Sequence, residues 1–155
     1  MSNLTHSNTS LGAAVGGIDR RVDRTIRHPA PFLRQALLAD AVTSLATGLL
    51  MVGATGLLSD LLGLPPWLLG CAGASLIPFA GAVAYMSSRP QLPGLVLWAV
   101  IACNAIWALA SVLLLMSGWF EPTRAGYAFV IAQAVVVAMY AELQFVGLRK
   151  SANAG

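Results

Sequence analysis

The sequence predicts an all-α integral membrane protein, a four-helix bundle built from two helical hairpins. Three observations predict it. Of 155 residues, 57% are apolar and only 10% are charged, with a mean hydropathy of +0.75; a soluble domain averages about 45–50% apolar and about 25% charged. The few charges leave four apolar runs, at 36–58, 67–88, 94–120 and 125–148. Each run is long enough to cross a bilayer, because a helix rises about 1.5 Å per residue and a hydrocarbon core of about 30 Å needs about 20 residues. Alternating polarity of the kind a membrane strand requires does not appear in the runs, and in lipid a helix satisfies its own backbone. The chain is too apolar for a disordered protein. Its two cysteines are too few for a disulfide-stapled secreted domain or a four-cysteine zinc site.

Taken in order, residues 1–31 form a polar and basic leader. Residues 1–17 are rich in Ser, Asn, Thr, Gly and Ala and are expected to be disordered. Over 18–27, Ile18, Val22 and Ile26 recur every four residues, with Arg20, Arg21, Arg24 and Arg27 on the other faces. That spacing predicts a short amphipathic helix, which with Arg34 would form a basic segment on an anionic membrane surface. An ordinary positive flank to a first span, with no dedicated partner, accounts for the same arginines. Asp19 and Asp23 interrupt the basic run and no aromatics are interleaved, so nucleic acid is not an expected partner.

The membrane domain is expected over 32–149, with spans near 34–58, 67–88, 94–118 and 125–148 and a short tail at 150–155. Pro65 and Pro66 stand where the second helix starts, and a missing N–H costs little there. Pro78, inside that span, predicts a kink, with a neighbouring helix or a hydroxyl such as Ser75 satisfying the freed carbonyl. The stretches 88–94 and 117–123 read as turns. Trp67, Trp119, Phe120 and Tyr127 lie at run ends, as interfacial aromatics do, and Tyr140 reads as another such anchor. The first run is too long for the apolar core of a signal peptide, and no small-residue cleavage motif follows it, so it is expected to be retained.

The distribution of Lys and Arg sets the expected threading. The leader and first span carry Arg20, Arg21, Arg24, Arg27 and Arg34, the second loop Arg89, and the tail Arg149 and Lys150; only Arg124 falls on the other side. Both termini are therefore expected in the cytoplasm, in an inner (plasma) membrane of bacterial type.

A displacement of 64 residues aligns the first and third spans. Ala41, Leu45, Ala46, Leu49 and Leu50 meet identical residues at 105, 109, 110, 113 and 114, Asp40 stands opposite Asn104, and Thr47 opposite Ser111. A parallel duplication would make Asp40 and Asn104 equivalent and let them face each other. Chance similarity between two Ala/Leu-rich segments explains the same match. Small residues four apart, such as Ser44/Gly48, Gly70/Ala74 and Ala80/Ala84, mark close helix packing.

Four polar residues within spans form the candidate site: Asp40, Asn104, Gln133 and Glu142. Asp40 lies about 9 Å deeper than Arg34 and Glu142 about 10 Å from Arg149, so the two acids are expected at similar depth. An ionisable group inside a membrane is costly and marks function by default. A bundle-facing pair of acids could exchange protons, as a proton-coupled exporter requires. The alternative is structural, with Arg34 or Arg149 reaching back to pair with either acid. For Asn104 and Gln133 an interhelical hydrogen bond is expected first and a ligand contact second.

No catalytic constellation, metal-binding spacing, phosphate loop or dinucleotide fingerprint occurs, and the only histidines, His6 and His28, precede the spans. No cofactor is expected. Cys71 and Cys103 read as small core residues. The layout loosely resembles that of the small multidrug resistance exporters, in having four short spans and an acid in the first. It departs from them in its polar leader and in holding that acid, Asp40, close to one end. These observations favour a non-enzymatic accessory or interaction module whose partners are the bilayer and either a second copy or another membrane protein. The alternative is a small proton-coupled transporter or lipophile-binding protein using Asp40.

Overall fold

The computed structural model describes Ile26 and residues 29–153. Among these residues the regular structure is entirely helical: α1 (Pro31–Gly53), α2 (Thr55–Leu62), α3 (Pro66–Ser87), α4 (Gly94–Met116) and α5 (Arg124–Asn153). Four of the five, all but α2, are long and apolar enough to cross a membrane. The leader helix expected over 18–27 lies outside the described residues except at Ile26, which is paired with Leu92 in an isolated antiparallel bridge.

The first span is not one helix to residue 58, as its apolar run predicts. It stops at Gly53, and α2 begins after Ala54. The cause is local. Gly53 and Gly56 weaken the helix, and the Thr55 hydroxyl turns back to donate to the carbonyls of Met51 at 2.6 Å and Val52 at 2.8 Å. Helix α2 then ends at Gly63, whose φ of 67° lies in the left-handed region a C-terminal glycine supplies. At Pro78, α3 continues without a break. Ser75 bonds the Ala72 carbonyl at 2.8 Å rather than the Ala74 carbonyl that the proline frees.

Helix α1 packs most extensively on α3, and α4 on α5, while contacts between α1 and α5 join the two pairs. The α1–α3 crossing needs two glycines. A Cβ on Gly48 would lie 2.9 Å from the Gly73 carbonyl oxygen, and a Cβ on Gly73 would lie 2.8 Å from the Met51 Cβ. The small residues let the backbones approach, which is how helices gain packing energy where lipid is as apolar as the side chains.

The two ends differ. At one end Arg34 donates to the Arg89 carbonyl, the Ala30 N–H donates to Ser151 Oγ at 3.0 Å, and the Lys150 ammonium sits 5.6 Å from the Phe32 ring. The start of α1, the α3–α4 turn and the end of α5 are thus tied together, with most of the described basic residues among them. The other end carries exposed Trp67, Trp119 and Tyr127, and Phe120, whose ring meets Trp67 edge-on at 6.2 Å.

Each end has its own apolar cluster. Leu33, Leu37, Val83, Met86, Leu92, Leu97 and Val100 fill the arginine end, and Met51, Leu58, Leu62, Leu69, Leu76 and Val130 the aromatic end. Outside, Leu49, Ile106, Leu109, Leu113, Ile131 and Val135 are all exposed, an apolar exterior of the kind that marks a membrane contact. Cys71 and Cys103 belong to this exterior and not to the core. Tyr140, read as an interfacial anchor, is buried instead.

Candidate functional site

Between the two apolar clusters lies a polar layer. Three helices contribute to it: α1 with Asp40 and Ser44, α4 with Asn104 and α5 with Gln144. Asp40 and Asn104 lie about 14–15 Å along α1 and α4 from the arginine end, and Gln144 about 14 Å from the end of α5. Asp40 and Gln144 are 0% exposed, Asn104 3% and Ser44 7%.

The carboxyl of Asp40 is the hub. Ser44 Oγ, one turn along α1, donates to Asp40 Oδ1 at 3.1 Å. Asn104 Nδ2 donates to Oδ2 at 2.7 Å, and Gln144 Nε2 donates to the same oxygen at 2.6 Å. Asn104 Nδ2 also lies 3.3 Å from Gln144 Oε1, which joins the two amides. A carboxylate only accepts hydrogen bonds, so both amides turn their NH₂ groups toward it. In a medium of low dielectric such bonds are strong, and a missing partner is correspondingly costly. The network also supplies a contact the backbones lack. Helices α1 and α4 do not pack along each other, and the Asp40–Asn104 bond spans the gap.

The candidate residues divide. Asp40 and Asn104 meet. Glu142 is exposed on the outside of α5, away from Asp40. Arg34 and Arg149 serve neither acid in the contacts they make: Arg34 bonds the Arg89 carbonyl, and the Arg149 guanidinium lies 5.3 Å from the centre of the Phe145 ring. Gln133 is half-buried nearer the aromatic end, in a cleft of about 260 Å³ between α1 and α5. Thr43, Ser44, Thr47 and Tyr140 line the same cleft, with Leu76, Phe129 and Val136 as apolar wall. Two side chains of the cleft touch Asp40: Ser44 donates to its carboxyl, and Thr43 donates to its backbone carbonyl at 3.1 Å. Of the basic segment, Arg34 is half-buried in α1, and Arg20, Arg21, Arg24 and Arg27 lie outside the described residues. Among the described residues no group of three His, Cys, Asp or Glu could hold a metal ion.

Gln144 is the member that sequence reasoning missed, and a signal for it exists. Val130, Ala134, Ala141, Gln144, Gly147 and Ser151 recur at spacings of three, four or seven residues and form the inner face of α5. Glu142, two residues from Gln144, is turned about 200° away on the helix. One turn beyond Asn104, Trp107 buries its indole Nε1–H without a partner among the described residues.

No protein-family model matches this chain, and neither a curated protein nor a solved structure is significantly similar to it.

Proposed function

We propose that this chain is a non-enzymatic, multi-pass membrane protein, an accessory or interaction module of a bacterial-type inner membrane, with both termini in the cytoplasm and the Asp40 cluster as its internal clasp. The observation that carries this reading is the closure of the cluster. Both carboxyl oxygens of Asp40 are occupied by side chains of the chain itself, drawn from three helices, and the group is fully enclosed. An acid held in this way positions helices. The orientation rests on the arginine end, because basic residues flanking spans are retained in the cytoplasm. The interaction role rests on the outer part of α4. From Ala105 to Met116 every residue is exposed or half-buried, so this stretch offers its surface to lipid, a second copy or another membrane protein.

A second reading, a lipophile-binding protein or small proton-coupled transporter, is favoured by one observation. The cleft of Thr43, Ser44, Thr47, Gln133 and Tyr140 sets polar groups in the middle of the apolar length and reaches Asp40 through Ser44. One experiment separates the two. The full chain and its Asp40→Asn variant are placed in liposomes holding a pH-sensitive dye, and melting is followed in detergent. The clasp reading expects the same proton leak from both and a lower melting temperature for the variant. Proton flux that disappears in Asp40→Asn at unchanged melting temperature would overturn it in favour of the second reading.

A further inference from the structure

A second recess lies at the arginine end, apart from the polar layer. Helices α3 and α4 are joined by the turn 88–93 yet do not pack along each other. Below the turn this leaves a crevice of about 540 Å³, within the range of 300–1,000 Å³ usual for small-molecule sites. Its walls are Ala82, Tyr85 and Met86 of α3 and Val96 of α4, and its rim is formed by Arg89 and the turn that follows. The walls are apolar and the rim is cationic.

Arg89 is held at that rim. Its guanidinium lies 4.3 Å from the centre of the Tyr85 ring, a cation–π contact that uses the face of the group, and its N–H edges make no hydrogen bond among the described residues. Its backbone carbonyl accepts from Arg34, which brings a second guanidinium to the same turn. Leu92, also part of the rim, is bridged to Ile26. Arg34 and Arg89 thus gather positive charge where an apolar crevice opens at the end of two apolar helices. That juxtaposition matches an amphiphile with an anionic head and a hydrocarbon tail.

We propose that this crevice binds an anionic phospholipid. The headgroup phosphate takes the N–H edges of Arg89, and one acyl chain lies against Ala82, Tyr85, Met86 and Val96. Arginine suits the role because its planar fork can donate two hydrogen bonds to a phosphate.

The test uses the full chain purified in detergent, with lipid retention read by native mass spectrometry. Phosphatidylglycerol and phosphatidylcholine of matched acyl chains are the probes. The wild type is expected to retain phosphatidylglycerol in preference. Arg89→Gln is expected to weaken that binding about tenfold, the loss of one hydrogen-bonded charge contact. It leaves the backbone carbonyl used by Arg34 in place, so the melting temperature is expected to hold. Val96→Trp, which fills the crevice, is expected to weaken both lipids. Arg124→Gln, at the opposite end, is expected to change neither. Equal retention of the two lipids by the wild type would overturn the proposal. So would an undiminished preference in Arg89→Gln, or an equal loss in Arg124→Gln.

Discussion

At the scale of single residues, the clasp assigns different weights to neighbours that look alike in sequence. Gln144 gives Asp40 a 2.6 Å hydrogen bond in a fully buried setting, whereas Glu142 is exposed. Gln144→Leu removes a donor from a buried carboxyl and is expected to lower the unfolding free energy by about 1–3 kcal/mol. Glu142→Gln is expected to stay within about 0.5 kcal/mol, as exposed substitutions do. Reversible unfolding in mixed detergent–SDS micelles measures both, and equal effects would remove the distinction. Asp40 and Asn104 were legible in the sequence because polar residues are conspicuous in apolar runs, and the 64-residue displacement set them opposite one another. Gln144 was less legible because it lies close to the charged end of α5, where polar residues are ordinary. Only its spacing from Ala134 and Ala141 sets it on the inner face. Cys71 and Cys103 illustrate the converse error, since burial rules for water-soluble proteins do not say which face of a membrane helix is inside.

At the scale of elements, the apolar runs were long enough to mark four helices, and the turns fell where Pro and Gly cluster. The break at Ala54 was hidden because the run stays apolar through it, and neither Gly53 and Gly56 nor the back-bonded Thr55 hydroxyl leaves a mark in hydropathy. The helix crossing was half legible. Gly48 faces α3, but the partner glycine on α3 is Gly73, while a Cβ on Gly70 would meet nothing within 4 Å, and Ser44 bonds Asp40 in the polar layer. Small residues four apart mark a helix face only when the neighbour's position is known. The pair gives a sharp prediction. Gly73→Ala must push against the Gly48 carbonyl and the Met51 side chain, and it is expected to cost about 1–3 kcal/mol. Gly70→Ala enters open space within the same helix and is expected to be neutral or to stabilise by up to about 1 kcal/mol. The same unfolding assay compares them, and equal losses would contradict the crossing described here.

At the scale of the whole molecule, Arg34, Arg89, Arg149 and Lys150 gather at one end of an apolar bundle and Trp67, Trp119, Phe120 and Tyr127 at the other, with large aliphatic side chains facing outward between them. Composition made that arrangement legible, because so few charges leave little choice about where the polar ends lie. Both the clasp and the lipid crevice depend on it. The most direct test is cysteine accessibility in intact cells, after Cys71 and Cys103 are replaced by serine. Single cysteines are introduced as Glu121→Cys at the aromatic end, Ser88→Cys at the arginine end and Ile106→Cys on the exposed flank of α4. A membrane-impermeant maleimide is expected to label Glu121→Cys from outside, Ser88→Cys only after the membrane is opened, and Ile106→Cys only once detergent is added. Labelling of Ser88→Cys from outside would reverse the threading, and labelling of Ile106→Cys in detergent-free buffer would contradict the membrane account itself.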